Sequence, residues 1–295
     1  MKIGIFSTLS KSESLTHYLN ATIEYLKNNN YEFIIDQRVK KIIPENQQNQ
    51  FLFFDPFSEI HIEIDVLFTI GGDGTLLRAI PFIKKSEIPI LGINTGRLGF
   101  LTSLNKESLN KGLDLFFKKK FTLVDRKLLK VESSLKLSEI NNFPFAINEL
   151  TINRKNTSSM LSIKTIIVNK LLATYWSDGL IISTPTGSTG YSLSSGGPIL
   201  TPSTSAFVLN PIAPHNINIR PLVIPDSSKI EIQVFGRSKK HLLSLDDRKT
   251  SIMDGCKLLI SKAPFIIKTV QLKGDDFFKT LQDKLFWGLD KRNRQ

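Results

Sequence analysis

The chain has 295 residues, enough for two domains with separate cores, and its 41% hydrophobic and 22% charged composition is that of an ordinary globular protein. A single cysteine, Cys256, excludes an intrachain disulfide and a thiolate cluster for zinc, and no apolar run reaches membrane-spanning length. The net charge of +12 raises a nucleic-acid partner, but basic runs are confined to Lys118-Lys119-Lys120 and Lys291-Arg292-Asn293-Arg294, without interleaved aromatics; polyanionic small molecules are expected instead, with no nucleic acid and no membrane.

In chain order, residues 2–7 read as a strand entered without a signal peptide, which makes the cytoplasm the expected location. A helix over 12–28 and a strand over 31–37 follow, and the polar run 46–50 reads as a surface loop. Residues 65–70 form an apolar strand through Val66, Leu67, Phe68 and Ile70, followed by Gly71-Gly72-Asp73-Gly74-Thr75. Leu76, Leu77, Ile80 and Ile83 then fall on one helical face, with Pro81 expected to shorten or kink the helix. A strand over 88–94 and a helix through Leu109, Leu113, Phe116 and Phe117 complete a βαβ alternation, which implies a parallel sheet with helices on both faces. From Phe121 to about Gln271 the pattern turns to short segments of period two, such as Leu161, Ile163, Thr165, Ile167 and Ile230, Ile232, Val234. Helical spacing returns at Phe278, Leu281, Leu285 and Leu289. The expected organisation is a Rossmann-like α/β domain over 1–120, an all-β domain over 121–271 and a helical tail, 272–295, that packs back on the first domain.

The glycines of 71–75 sit at a strand-to-helix turn, where a backbone free of Cβ and the N–H groups opening a helix attract phosphate oxygens. Gly71, Gly72, Gly74 and Thr75 therefore read as a phosphate loop, and Asp73 is its odd member, since a carboxylate repels phosphate unless chemistry needs it there. The plain alternative is an ordinary Gly-Asp-Gly turn with an Asx-type hydrogen bond. The P-loop lysine and the third glycine of the dinucleotide fingerprint are both missing. His17, His61, His215 and His241 show no metal-ligand spacing, so no protein-built metal site is expected. Downstream, the segment 178–198 is dominated by hydroxyls and glycines, yet Pro185, Tyr191 and Pro198 make it too constrained for a flexible linker. It suits a polar ligand with a flat ring, for which Tyr191 offers a stacking face. Asn148-Glu149, after the apolar run 143–147, offers a carboxamide and a carboxylate suited to a ribose diol or an adenine edge, although alone the pair would most often be a strand end.

Together these segments resemble the NAD kinase family over nearly the whole chain. The resemblance is carried by Gly71-Gly72-Asp73-Gly74-Thr75, by Leu91-Gly92-Ile93-Asn94-Thr95-Gly96-Arg97-Leu98-Gly99-Phe100-Leu101, by Asn148-Glu149, by 178–198, and by Pro211-Ile212-Ala213-Pro214-His215 with Arg220-Pro221-Leu222. The first motif is shared with lipid kinases of the same superfamily; the Thr-Pro-Thr-Gly-Ser segment makes the specific match. The resemblance implies transfer of the ATP γ-phosphoryl group to the 2′-hydroxyl of the adenosine ribose of NAD, giving NADP, with Mg2+ or Mn2+ accompanying ATP. It implies Asp73 as proton acceptor and Gly74 as a phosphate or ribose contact, with Asn148 and Glu149 on ribose hydroxyls and the adenine edge. Thr189, Gly190, Tyr191, Ser192, Leu193 and Ser194 would line the adenine pocket, and Ala213 would supply a backbone contact. Arg78 would meet a phosphate, or serve as a plain surface arginine. Asp178 would hold the other ribose from a neighbouring subunit of a homodimer or homotetramer, its alternative being a turn cap. ATP or polyphosphate remains open as the donor, and a lipid kinase or a silent NAD-binding sensor remain the rival readings. Trp176, Asp246-Asp247-Arg248 and Gly190 depart from the family pattern.

Overall fold

The computed structural model describes residues 1–8, 12–56, 58, 63–96, 99–104, 108–135, 137–155 and 159–288. Arg97, Leu98, His61, Leu289 and the basic run 291–294, singled out in the sequence, lie outside them.

The chain runs β1 (Lys2–Ser7), α1 (Glu13–Asn28), β2 (Glu32–Asp36), α2 (Glu45–Gln48), β3 (Phe53–Phe54), β4 (Val66–Ile70), α3 (Asp73–Ile83), β5 (Ile90–Ile93), α4 (Leu109–Phe117) and β6 (Phe121–Ser133). It continues with α5 (Ser138–Asn141), β7 (Phe145–Ala146), β8 (Glu149–Asn153), β9 (Leu161–Ile167), β10 (Lys170–Ser177), β11 (Gly179–Ser183), α6 (Tyr191–Ser194) and β12 (Ala206–Ile212). β13 (Leu222–Pro225), β14 (Ile230–Phe235), β15 (Lys240–Leu245), β16 (Arg248–Met253), β17 (Lys257–Leu272) and α7 (Phe277–Leu285) complete it. Two compact units result: residues 1–124 with 267–295, and residues 125–266.

The first unit is α/β. Its strands lie in the order β5-β4-β1-β2-β3, all parallel, with the end of β17 beside β5 through Thr269 and Ile90. Ile3, Ile5, Val66, Phe68 and Ile70 meet Leu19, Ile23 and Leu26 of α1 and Leu113 and Phe116 of α4 in one core, while α3 packs on β4 and β5 outside that cluster. α1 starts where Ser12 caps Leu15 N–H at 3.1 Å, which satisfies one orphan donor of the first turn. α7 belongs to this unit too, with Leu281 buried.

The second unit is antiparallel β. A six-stranded sheet, β13-β12-β11-β8-β15-β16, shares one hydrophobic core with β10-β9-β14-β17. Alternate residues feed it, as in Ile230, Ile232 and Val234 of β14, facing inward as period two requires.

Several local expectations change. Residues 46–50 were expected to form a loop, but Glu45–Gln48 is one helical turn, held where Gln48 Nε2 donates to Lys40 O and Ile43 O. Pro81 stands inside α3, which ends two residues later at Ile83 and is 11 residues long. The inward face of α3 uses Thr75 and Ala79 beside Leu76, Ile80 and Ile83, and Leu77 is only half-buried. β6 and β17, with 13 and 16 residues, are long strands where short ones were expected. On α7, Leu281 is buried as the predicted stripe requires, but Phe278 is 64% exposed and Phe277, 6.4 Å from the Phe100 ring, takes its place.

Candidate functional site

In the α/β unit the strand order reverses between β1, which leads outward to β2, and β4, which leads to β5. The carboxyl ends of the strands at such a switch form the crevice in which open α/β sheets take ligands. Gly71 follows β4 directly, with its N–H on Ile93 O at 2.9 Å, and Ser7 Oγ at the end of β1 donates to Ile70 O at 2.6 Å.

The glycines of the loop are not equivalent. Gly71 has φ +151°, and a Cβ there would overlap Thr75 Oγ1, so the fold itself demands glycine. Gly72 caps α3 at φ −87° without a side-chain hydrogen bond, and Gly74 lies in the first turn; a Cβ at either would meet nothing within 4 Å. What those two positions keep clear is the approach to the helix N-terminus, where orphan N–H groups and the dipole favour an anion.

Asp73 opens α3 and is held from the far side. Its Oδ2 accepts Phe100 N–H at 2.8 Å, and its Oδ1 accepts Leu101 N–H at 3.2 Å and the Thr102 hydroxyl at 3.1 Å. Thr102 Oγ1 is itself fixed by Asn94 Nδ2 and Gly99 N–H, both at 2.9 Å. A Cβ at Gly99 would overlap Asp73 Oδ1, so that glycine admits the carboxylate. Of the roughly four lone-pair positions on a carboxylate, three are taken and one is left. Arg78 lies further along α3 on its exposed side.

In the β unit, Asn148 and Glu149 stand at the start of β8, opposite the end of β11, where Thr184 N–H donates to Asn148 O at 2.9 Å. The hydroxyl-rich segment turns there through a 3-10 turn, Gly187–Thr189, into α6. Its hydroxyls fasten the backbone: Thr184 Oγ1 to Ile147 O at 2.5 Å, Ser188 Oγ to Pro185 O at 2.7 Å, and Thr189 Oγ1 to Thr186 O at 3.1 Å. Asn210 Nδ2 on β12 holds Ser192 O at 2.8 Å. A Cβ at Gly187 would overlap Asn148 O, and one at Gly190 would lie 3.1 Å from Glu149 Oε2, so glycines let this turn close on the Asn148-Glu149 pair. Tyr191 beside them is 43% exposed, with Leu193 half-buried and Ser194 exposed.

Asn148 Oδ1, Glu149 Oε2 and Asn210 Oδ1 are enclosed acceptors without a partner among the described residues. A buried acceptor is costly unless something donates to it, which points to a ligand rich in hydroxyl or amino groups. Burial, and then the neighbouring charge of Asp246, push the Glu149 carboxyl up to about 8. Asp246 is raised by burial to about 6, against the pull of three backbone N–H bonds and Arg248. Near neutral pH one of these carboxyls is neutral and the other charged.

Asp178 and Ala213 do not join this cluster. They flank the opposite end of β11, where Asp178 N–H bonds Ile212 O at 3.0 Å, about 17 Å along a five-residue strand. Asp178 Oδ2 pairs with Arg154 Nη2 at 2.8 Å, and Ala213 is exposed at φ +44°. The sequence reading missed Arg154, Asn210 and Thr102; it named Gly99-Phe100-Leu101 only as part of a family motif and Asp246-Asp247-Arg248 only as a departure from the family pattern, without the bonds that either makes. Among the described residues no group of three or more His, Cys, Asp or Glu side chains is arranged to hold a metal ion.

A glycine-rich strand-to-helix turn in an α/β unit, followed by an antiparallel β unit, is the architecture of a two-domain nucleotide-binding kinase. Residues 3–121 match the family model of the ATP-NAD kinase N-terminal domain, and residues 147–272 that of the ATP-NAD kinase C-terminal domain. Proteins named NAD kinase from Christiangramia forsetii and Flavobacterium psychrophilum are each 44% identical over 295 residues, 99% of this chain and all of each relative. Among solved structures, an NAD kinase from Archaeoglobus fulgidus in complex with ATP is 26% identical with a TM-score of 0.74, over 97% of this chain and 99% of that one. Yeast NADH kinase complexed with NADH superposes at TM-score 0.85 over 100% of this chain and 90% of that one, a likeness of fold at 23% identity. The chain belongs to the NAD kinase family.

Proposed function

We propose that this protein transfers the γ-phosphoryl group of ATP to the 2′-hydroxyl of the adenosine ribose of NAD, producing NADP. The observation that carries the reading is the pair of unpartnered acceptors, Asn148 Oδ1 and Glu149 Oε2, closed over by the Gly187–Gly190 turn that leads into the half-exposed Tyr191. A ribose diol and an adenine amino group supply the donors such acceptors lack, and an adenine ring fits an aromatic face. Thr189 to Ser194 then line the adenine site, and Ala213 offers backbone to a ligand.

Asp73 takes the proton of the acceptor hydroxyl with its remaining lone pair, while Gly71, Gly72, Gly74 and Thr75 place the helix N-terminus against phosphate oxygens, with Arg78 as a further cation. Phosphoryl transfer depends mainly on positioning and charge neutralisation, so a carboxylate and backbone donors suffice as protein groups. Among the described residues no three or more His, Cys, Asp or Glu side chains are grouped for Mg2+ or Mn2+; such an ion would be held by ATP phosphate oxygens with one or two carboxylates, as Mg2+ usually is. When bound it neutralises phosphate charge. Asp178, placed away from the Asn148-Glu149 pair, is assigned to the second ribose across a subunit boundary in a homodimer or homotetramer, and a cytoplasmic location fits this role.

The test is to incubate purified protein with ATP, Mg2+ and NAD and measure NADP. Formation of NADP supports the reading, and 2′-deoxy-NAD should bind without being phosphorylated. NAD binding without turnover would make the protein a sensor; turnover of a lipid alcohol in place of NAD would move it to the lipid kinases.

A further inference from the structure

Asp246 touches no ligand in the roles assigned above, yet it organises the segment that carries two of them. It occupies the first position of the two-residue turn between β15 and β16, at φ +53°. From there its Oδ1 accepts the N–H groups of Asn148 at 2.8 Å and Glu149 at 3.2 Å, and its Oδ2 accepts that of Ile147 at 3.0 Å. Its own N–H returns a bond to Glu149 O at 3.0 Å. Three consecutive amides on one carboxylate fix the peptide planes on both sides of Asn148, as in a backbone nest around an anion. Two residues on, Arg248 donates Nη1 to Phe143 O and Nη2 to Phe145 O, with its guanidinium 5.2 Å from the Phe143 ring centre. One turn therefore grips both ends of residues 143–149.

We propose that Asp246 is the positioning residue of this ligand site: by gathering the 147–149 amides it sets Asn148 Oδ1 and Glu149 Oε2 where a ribose diol or an adenine edge is read. The inference rests on the NAD kinase reading for the identity of the ligand. Asp246 is faced by Glu149 from β8 and by Arg248 of its own hairpin, Arg248 also being faced by Asp247; the charge acting on Glu149 is that of Asp246. Removing that charge takes away one of the two causes that raise the Glu149 carboxyl, so an inflection in ligand affinity that reports Glu149 moves to lower pH. Loss of the charge moves that inflection in any case; weakened NAD affinity together with loosened 147–149 amides is what a role confined to stabilising the hairpin would not produce.

The experiment titrates NAD, without ATP, into the wild-type protein and Asp246→Asn from about pH 6 to 9, with hydrogen exchange followed at residues 147–149. The variant keeps the shape but sets an amide group against N–H donors. NAD affinity should fall at least about tenfold, the scale of one lost charge-assisted hydrogen bond. The affinity inflection should move to lower pH and the three amides should exchange faster. Asp246→Gly, which suits a positive φ, supplies the same measurements if the first variant does not fold. Unchanged affinity and inflection in either folded variant overturn the proposal. If the wild type binds no NAD, the functional reading fails separately and amide exchange alone decides: faster exchange supports the clamp, and unchanged exchange overturns it.

Discussion

Asp73 is anchored by bonds that an asparagine reproduces only in part, because one of its two oxygens becomes an NH2 group facing an N–H or hydroxyl donor. Asp73→Asn should lower turnover at least about 10²-fold through loss of the base, and also cost about 1–3 kcal/mol of stability for the mismatched bond. Steady-state rates with a denaturation curve check both, and near-normal turnover would remove Asp73 from its assigned role. Glu149 gives a pH dependence with a fixed sign. Unfolded, it ionises near its ordinary 4.5; folded, it holds its proton up to about 8, so the native state carries the extra proton in between. Its contribution is fully present below about pH 4.5 and is lost as pH rises through about 8. Asp246, raised from 3.8 to about 6, acts in the same sense over a lower window. Melting temperature should therefore fall more steeply between about pH 5 and about pH 8.5 in the wild type than in Glu149→Gln, because only the wild type releases this proton across that range. Parallel slopes would show that the carboxyl is not held neutral.

At the scale of elements, the strand-to-helix turn after β4 separates a glycine required by the fold, Gly71, from two whose Cβ positions face open space, Gly72 and Gly74. Gly74→Ala meets no atom within 4 Å and gains helix propensity, so stability should rise by about 0.5–1 kcal/mol while affinity for ATP or NAD falls. Gly71→Ala must leave φ +151° and overlap Thr75, so the first unit should be destabilised outright. Thermal melts and ligand titrations on the two variants distinguish these outcomes, and a destabilised Gly74→Ala would show that the helix needs that glycine for itself. The same unit links α7 to the segment that holds Asp73: the ring of Phe100, whose N–H bonds that carboxylate, lies 6.4 Å from Phe277, with Lys284 Nζ 5.0 Å from its centre. β11 acts as a ruler of the other unit, holding Thr184 beside Asn148 at one end and Asp178 at the other.

For the whole molecule, a net charge of +12 on 295 residues attracts polyanions at long range, and salt screens that attraction. The KM for ATP should rise severalfold between about 0.05 and 0.5 M salt and that for NAD, which carries less charge, should rise less. Equal salt sensitivity of the two, or none, would mean that the basic surface does not serve the site. The chain passes between its two units inside β6 and β17, whose boundaries fall after Val124 and after Ile266. Period and composition made the βαβ half, the period-two half and the helical return legible, because those patterns record which face of an element is buried. Motif chemistry singled out Gly71 to Thr75, Asn148-Glu149 and 178–198 as candidates, and the fold brings the 184–190 end of the last, but not Asp178, beside Asn148 and Glu149. Tertiary structure alone decided that Gly99 and Gly187 are obligatory, since Asp73 and Asn148 reach them from distant parts of the chain, while Gly71 is fixed locally by Thr75 and its own φ. It also decided that Asp178 stands a strand's length from Glu149, and that Asp246, almost a hundred residues later, holds the 147–149 amides. Sequence periodicity reports burial along one segment; a hydrogen bond between distant segments leaves no period to read.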